Sequence, residues 1–282
     1  MKRRPPASHV ALAVAALTAS CSLVPLDGLT GGRVAVSTEA GSDSGEDAPL
    51  PPPSPYAQVV LADDPVAYYR LDETSGTTAR DFSGHGNDGT YIGGVHPGTA
   101  GAIANDPDTA ASFDGATGYV DCGNNFAFAG SQPLSLEAWV RSESMTGYGG
   151  VFSREDTAGG PPSEGYLAFV SPNDGIYGFQ RLDGNNLTSV TSTSVASASH
   201  YDHVVATYDG NTMTLYVDGT AQGNLAAMFP IAGATHDFVI GAEVGGAEDF
   251  FDGALDEVAV YDHVLSPTRV TAHYLAGMGQ GP

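Results

Sequence analysis

The chain has 282 residues, with 33 Asp and Glu against 10 Lys and Arg, a formal net charge of -23 and an isoelectric point near 4.3. A polyanion of that size is repelled by nucleic acid and by acidic lipid headgroups, which argues against DNA or RNA as a partner. Only 15% of residues are charged and 41% are hydrophobic, so this is no disordered acidic tail, and 37 glycines and 18 prolines favour short strands and tight turns over helices.

Residues 1–21 open with Lys2, Arg3 and Arg4, continue with a short apolar run over residues 10–17, and end in Thr18-Ala19-Ser20-Cys21. A positive start, a short apolar core and small residues at the end predict a secretory signal; the run is too short to span a bilayer as a helix. Its removal would leave seven cations against the 33 acids. The ending resembles a bacterial lipoprotein signal, in which small residues precede a cysteine that is lipidated and becomes the new N-terminus. That family usually has a leucine three residues before the cysteine, whereas Leu17 stands four before Cys21. The resemblance implies a lipid on Cys21 and an outer-membrane or cell-surface location. Ordinary cleavage near Ala19 would instead release a secreted protein.

Residues 22–55 contain no aromatic residue and end in Pro49-Leu50-Pro51-Pro52-Pro53-Ser54-Pro55. Such a segment cannot bury enough apolar surface to offset chain entropy, which predicts a disordered linker with a stiff polyproline II end. The second and last cysteine, Cys122, lies in the strand-like Tyr119-Val120-Asp121-Cys122-Gly123 and reads as a small packing residue, not a nucleophile.

Residues 56–282 form one β domain without internal repeats. Residues 134–141, 165–169 and 213–218 alternate apolar and polar side chains, the pattern of strands with one face on a core. Asp209-Gly210-Asn211 and Asp218-Gly219 are hairpin turns, since Asp-Gly readily takes the positive φ of a type I′ turn. Many closely spaced strands without alternating helices predict a sandwich or jelly roll. One helix comes last. Ser266 suits its N-cap, Pro267 its first position and Gly277 the position just past its end, with Val270, His273 and Tyr274 at helical spacing for docking on the sandwich.

Ala67-Tyr68-Tyr69-Arg70-Leu71-Asp72-Glu73, then Gly76 and Asp81-Phe82-Ser83-Gly84-His85-Gly86-Asn87-Asp88-Gly89, resemble the opening of the bacterial laminin G-like, concanavalin A-like lectin/glucanase domains. Phe113-Asp114-Gly115, Leu136-Glu137-Ala138-Trp139-Val140, the block from His203 to Gly210, Leu215-Tyr216-Val217-Asp218-Gly219 and the block from Phe251 to Tyr261 follow in family order. Leu265-Ser266-Pro267 closes a match over residues 64–277. The resemblance implies an all-β, concanavalin A-like jelly-roll sandwich of two antiparallel sheets with one short C-terminal helix, commonly with a structural calcium ion. It implies no single function, because the fold carries lectins, hydrolases and adhesive modules.

Calcium takes roughly six to eight oxygen ligands. Asp81 opens a Gly-rich stretch whose Gly84, Gly86 and Gly89 let the backbone turn carbonyls inward, and Asn87 and Asp88 add oxygens there. Asp114 lies beside Phe113, and Asp256 lies in an apolar strand, places where an unpaired carboxylate is costly without a cation. Similar domains hold one ion between an aspartate of the Asp-x-Ser-Gly stretch and an acid of the C-terminal Asp-Glu strand. This carries over to Asp81 and Asp256, with Asp114 and Asn87 as further ligands of Ca²⁺. The alternative is that these residues point outward or cap turns by accepting backbone N–H bonds. His200 and His203, three apart on a strand, face opposite ways; His203 reads as packing and His85 as solvated, so zinc is not indicated.

The enzymatic rival is a glycosidase. Related glucanases use two carboxylates ~5–5.5 Å apart for retention, in this fold as Glu-x-Asp-x-x-Glu on one strand, and that motif is absent. Asp256 and Glu257 are adjacent and expected on opposite faces, while Glu243 and Glu248 flank the loop-like Val244-Gly245-Gly246-Ala247. There is no Gly-x-Ser-x-Gly elbow and no phosphate-binding Gly-Lys-Ser/Thr loop. A glycan site needs an aromatic platform with polar groups beside it. Tyr148, Tyr177, Phe179, Phe250 and Phe251 lie near turns, although aromatics commonly fill cores, and Trp139 matches a family core strand. The reading is a non-catalytic binding or adhesion module for a polysaccharide, the other alternative being a module that binds an envelope or extracellular protein.

Overall fold

The computed structural model describes residues 53–143, 147–156, 164–172, 174–184 and 186–281. The predicted signal segment, Cys21 and the linker up to residue 52 lie outside the described residues. In chain order the strands begin with β1 (Ala67–Tyr69), β2 (Thr78–Ala79), β3 (Gly89–Ile92), β4 (Val95–Ala100), β5 (Thr109–Asp114), β6 (Tyr119–Asp121), β7 (Leu134–Ser142) and β8 (Gly149–Asp156). They continue with β9 (Glu164–Val170), β10 (Ile176–Asp183), β11 (Asn186–Val195), β12 (Asp202–Tyr208), β13 (Thr212–Val217), β14 (Thr220–Ala226), β15 (Val239–Ile240) and β16 (Asp252–Tyr261). Helix α1 (Pro55–Leu61) precedes them and α2 (Pro267–Gly277) follows.

The strands pair antiparallel into two sheets. The first runs β14-β13-β12-β7-β16-β5-β4, with β1 also on β16; the second runs β11-β10-β9-β8-β15-β6-β3-β2. This is the expected all-β sandwich with a short C-terminal helix. Phe113, Leu136, Phe152, Tyr166, Phe179, Phe238 and Leu255 fill the space between the sheets. Each large apolar side chain buried there contributes roughly 1.5–3 kcal/mol.

A second core lies on the outer face of the first sheet. Tyr56 and Val60 of α1 and Val270 of α2 pack there on Trp139, Val205 and Tyr261. As a result β12 is buried along its whole length and β7 nearly so, not on one face only as the alternation of residues 134–141 predicts. The reason is that polar-looking positions such as Glu137 and His203 are enclosed beneath the helices.

Local signals explain most of the connections. Asp209 Oδ1 accepts the N–H groups of Asn211 (2.8 Å) and Thr212 (2.7 Å) in the β12–β13 turn. Asp218 (φ 50°) and Gly219 (φ 70°) take the left-handed pair that a type I′ hairpin requires between β13 and β14. Ser266 caps α2 through the Arg269 N–H (3.3 Å). Gly277 is the last helical residue, not the one past the end; a Cβ there would run into the Trp139 indole, and Gly279 (φ 69°) makes the exit turn. The expectation of a single helix misses α1, which Ser54 caps through the Ala57 N–H (3.2 Å), so the tract ending at Pro55 already starts a helix.

Candidate functional site

The Gly-rich loop after β2 wraps around Asp81. Its carboxylate accepts the N–H groups of Tyr68, Ser83 and Asn87, each at 2.9 Å, and these bonds outweigh burial to lower its pKa. Asn87 donates to the Val66 carbonyl (2.8 Å) and its own carbonyl accepts the Tyr69 hydroxyl (2.6 Å). Asp114 is exposed and closes the β5–β6 turn, accepting N–H groups of Ala116, Thr117 and Gly118 and the Thr117 hydroxyl; against slight burial, these hold it well below the usual carboxylate range. The structure therefore brings Asp81 and Asn87 together in one backbone knot and places Asp114 in a separate turn.

Asp256 belongs elsewhere. A bulge at Glu257 (φ 52°) breaks the register of β16 between Asp256 and Ala259. Asp256 and Glu257, expected on opposite faces, are consequently both fully buried and both feel the Arg70 guanidinium. Arg70 pairs with Asp108, Asp106 (3.2 Å), Glu257 (3.3 Å) and Asp72 (3.5 Å), and the Tyr68 hydroxyl donates to Glu257. Asp256 Oδ2 accepts the Ala102 N–H (2.7 Å).

Five acids thus surround one arginine. Burial, then the neighbouring carboxylates, push Asp256 and Glu257 well above their ordinary values, and Asp108 is raised by burial as well. Asp108 Oδ1 and Asp256 Oδ1 remain buried without a donor. A Cβ on Gly101 would lie 3.3 Å from both Asp108 Oδ1 and Asp256 Oδ2, so the two carboxyls flank the space a glycine leaves. Among the described residues, the three carboxylates that place ligand atoms within 4.8 Å of one another are Asp106, Asp108 and Glu257. This all-oxygen set, with Asp108 Oδ1 unpartnered, is of the kind a hard divalent cation takes, and the Arg70 guanidinium already pairs with all three members. It opens on a groove of about 630 Å³ beside α1 and the end of α2. Sequence reasoning missed Asp106 and Asp108; their spacing in a proline loop just before β5 was the available signal.

A cleft of about 310 Å³ lies where the β7–β8 and β15–β16 connections meet the β5–β6 turn. Gly115, Gly147 and Gly149 border it, and Tyr148, Phe250, Phe251, Asp249 and Asp252 line it. Tyr148 is 47% exposed and stands edge-on to Phe169 (ring centroids 5.4 Å); Phe250 is half-buried and leans on Tyr119 (6.4 Å). Burial raises Asp249 and Asp252, with Glu248 adding to the first and Glu143 to the second. Of the five candidate platform aromatics, Tyr148 and Phe250 thus share a cleft that the buried Phe251 also borders, whereas Tyr177 and Phe179 are core residues.

Two buried histidines join the helices to the first sheet. His203 Nε2 meets Glu137 Oε1 at 2.8 Å; His273 lies between Glu137 (2.9 Å) and Asp63 (2.7 Å). His203 is buried on β12, whereas His200, expected on the same strand, lies exposed in the bend before it. Cys122 is buried too, and desolvation pushes its thiol up to about 12.

The sequence profile of the concanavalin A-like lectin/glucanases superfamily, in its laminin G form, matches residues 114–271. Among solved structures, domain 4 of AbnA, a GH43 extracellular arabinanase from Geobacillus stearothermophilus, in complex with arabinotriose, is 20% identical with a TM-score of 0.56; the match covers 75% of this chain and 98% of that one. The binding domain of Paraclostridial Mosquitocidal Protein 1 is 12% identical with a TM-score of 0.55, covering 76% of this chain and 52% of that one. The receptor binding domain of botulinum neurotoxin D is 13% identical with a TM-score of 0.52, covering 76% and 53%. This chain spans about half the length of the two toxin domains. At these identities the likeness is one of fold. No curated protein matches the sequence.

Proposed function

Because the chain belongs to the concanavalin A-like lectin/glucanases superfamily, we propose that it is an exported, non-catalytic binding module that holds a polysaccharide in the Tyr148–Phe250 cleft. The observation that carries this reading is the cleft itself: an exposed Tyr148 and a half-buried Phe250 beside two carboxylates. Aromatic faces stack on the apolar faces of sugar rings, while Asp249 and Asp252 accept hydroxyl hydrogen bonds. The arabinotriose-bound arabinanase domain makes an arabino-oligosaccharide the first ligand to try.

A hydrolytic reading finds little support. Glu155 and Glu243 are buried acids in direct hydrogen-bond contact with one another. Glycosidases instead separate their carboxyls by ~5–5.5 or ~6.5–9.5 Å to admit the sugar and water. A structural calcium ion belongs to the proposal, held by Asp106, Asp108 and Glu257 with Asp256 beside them. Asp81, Asn87 and Asp114 serve their own turns in this reading.

The proposal includes a lipid on Cys21, with the linker holding the domain off an outer-membrane or cell surface. Partition into detergent, abolished by Cys21→Ala, is its expected sign. The binding function is tested by a glycan array that includes arabino-oligosaccharides, probed in CaCl₂. Retention on a defined glycan is expected; folded protein retained on none would remove the reading.

A further inference from the structure

On β8, Ser153 and Glu155 are two residues apart and so share one side of the pleat. Their neighbours identify that side. Ser153 pairs with Leu167, which joins Phe169 and Leu182 in a small cluster outside the sandwich, whereas Phe152 and Ala168 face the main core. Glu243, just after β15, folds over the same outer face: its Cγ lies 2.7 Å from where a Cβ on Gly150 would be.

Glu155 and Glu243 are 3% and 7% exposed, and Ser153 is fully buried. The two carboxyls hydrogen-bond to each other, and the Val244 N–H donates to Glu155. Apart from this, Glu155 Oε1, Glu243 Oε1 and Ser153 Oγ are buried with no partner. Glu248 and Asp249 add negative charge from the same connection. Among the described residues, none of these four acids forms an ion pair with an arginine or histidine. Arg154 points the other way, to the carbonyls of Asn125 and Ala234. Burial first, and the neighbouring acids after it, raise both Glu155 and Glu243.

Two buried carboxylates in contact cannot both ionise without a cation, and an orphaned hydroxyl on the same side of β8 has lost its water for nothing in return. We infer that Glu155, Glu243 and Ser153 form a binding site for a divalent cation of the calcium type. The donor set is entirely oxygen, which selects Ca²⁺ or Mg²⁺ over zinc or copper, and two flexible glutamates suit the larger ion's irregular shell. Water or main-chain oxygens of the 244–248 loop complete that shell. The site lies outside the second sheet and shares no residue with the Asp106, Asp108 and Glu257 cluster beside β16 of the first. Cation entry displaces the proton held between the carboxyls, so binding and proton release go together.

The test is calorimetric titration of the full chain with CaCl₂, repeated in two buffers of different ionisation enthalpy to count protons. The wild type is expected to show a binding component with proton release that Asp108→Asn leaves in place. Glu155→Gln with Glu243→Gln weakens that component about 100-fold or more. Superimposable isotherms for this variant and the wild type, or no Ca²⁺ binding by either, overturn the proposal and leave the pair as a proton trap only. A second measurement needs no variant: Tb³⁺ is soaked into crystals of the wild type as a Ca²⁺ stand-in. An anomalous peak bonded to both Glu155 and Glu243 supports the site. Its absence there overturns it, whatever the folding of the glutamine variant.

Discussion

Two sets of buried glutamates lie on the two outer faces of the sandwich, and their surroundings are opposite. Glu137, under α1 and α2, is saturated. It accepts the Tyr56 (2.9 Å) and Tyr261 (2.8 Å) hydroxyls and contacts both His203 and His273. Burial works to raise its pKa, but His273 and His203 outweigh it and hold Glu137 well below its ordinary value. Glu155 and Glu243 have each other, one backbone N–H and no cation, and both are raised. Equal burial therefore has opposite consequences. Where partners are built in, the carboxylate is part of the scaffold; where they are missing, the site is open to a ligand.

Removing the saturated hub gives the largest effect. Glu137→Ala leaves His203, His273 and two tyrosines facing an empty centre and is expected to lower unfolding stability by about 3–5 kcal/mol, read by urea denaturation. A loss below 1 kcal/mol would mean that the hub is dispensable and the contrast unfounded.

The sign reverses on the other face. In EGTA at pH 8, Glu155→Gln with Glu243→Gln is expected to raise stability by about 1–3 kcal/mol, because it removes a buried repulsion. The pH dependence separates the two regions further. Carboxyls whose folded pKa lies above the unfolded value near 4.5 favour folding when protonated, so the Glu155–Glu243 contribution falls as pH rises above 4.5. The gain from the glutamine variant should therefore grow from pH 5 to pH 8.

In the hub, His273 and Glu137 titrate in different windows and with opposite signs. Glu137 and Asp63 raise His273 to about 9 against burial, compared with 6.5 unfolded. Its stabilisation is complete below pH 6.5 and disappears as pH rises through about 9. Glu137 contributes above pH 4.5 and loses its contribution as pH falls through its depressed folded value. A His273→Gln variant should lose the alkaline part of this profile and, because His273 is the foremost group holding Glu137 down, much of the acid part too. An unchanged profile would contradict the assignment.

The sandwich was legible because its signals are local: period-2 alternation, Asp-Gly turns, and Ser-Pro at the start of α2. The same Ser-Pro signal begins α1 at Ser54-Pro55, but it was hidden at the end of a proline run whose composition argues for extended chain. The acidic sites were not legible, because their members converge from distant segments. Glu155 and Glu243 meet only after β15 lies beside β8. A single bulge turns Glu257 toward Asp106 and Asp108, against the alternation that governs the rest of β16. The aromatic candidates were separated by topology as well, since Tyr148 and Phe250 reach the cleft while Tyr177 and Phe179 enter the core.

The central claim is that the Tyr148–Phe250 cleft binds a glycan, and affinity for the glycan retained on the array tests it most directly. Tyr148→Ala should weaken that affinity about tenfold or more with the melting temperature unchanged, since loss of a ring stack is worth about 1–3 kcal/mol. Leu187→Ala, at an exposed position outside the cleft, should leave the affinity as it was. Equal affinity for the wild type and Tyr148→Ala would contradict the account.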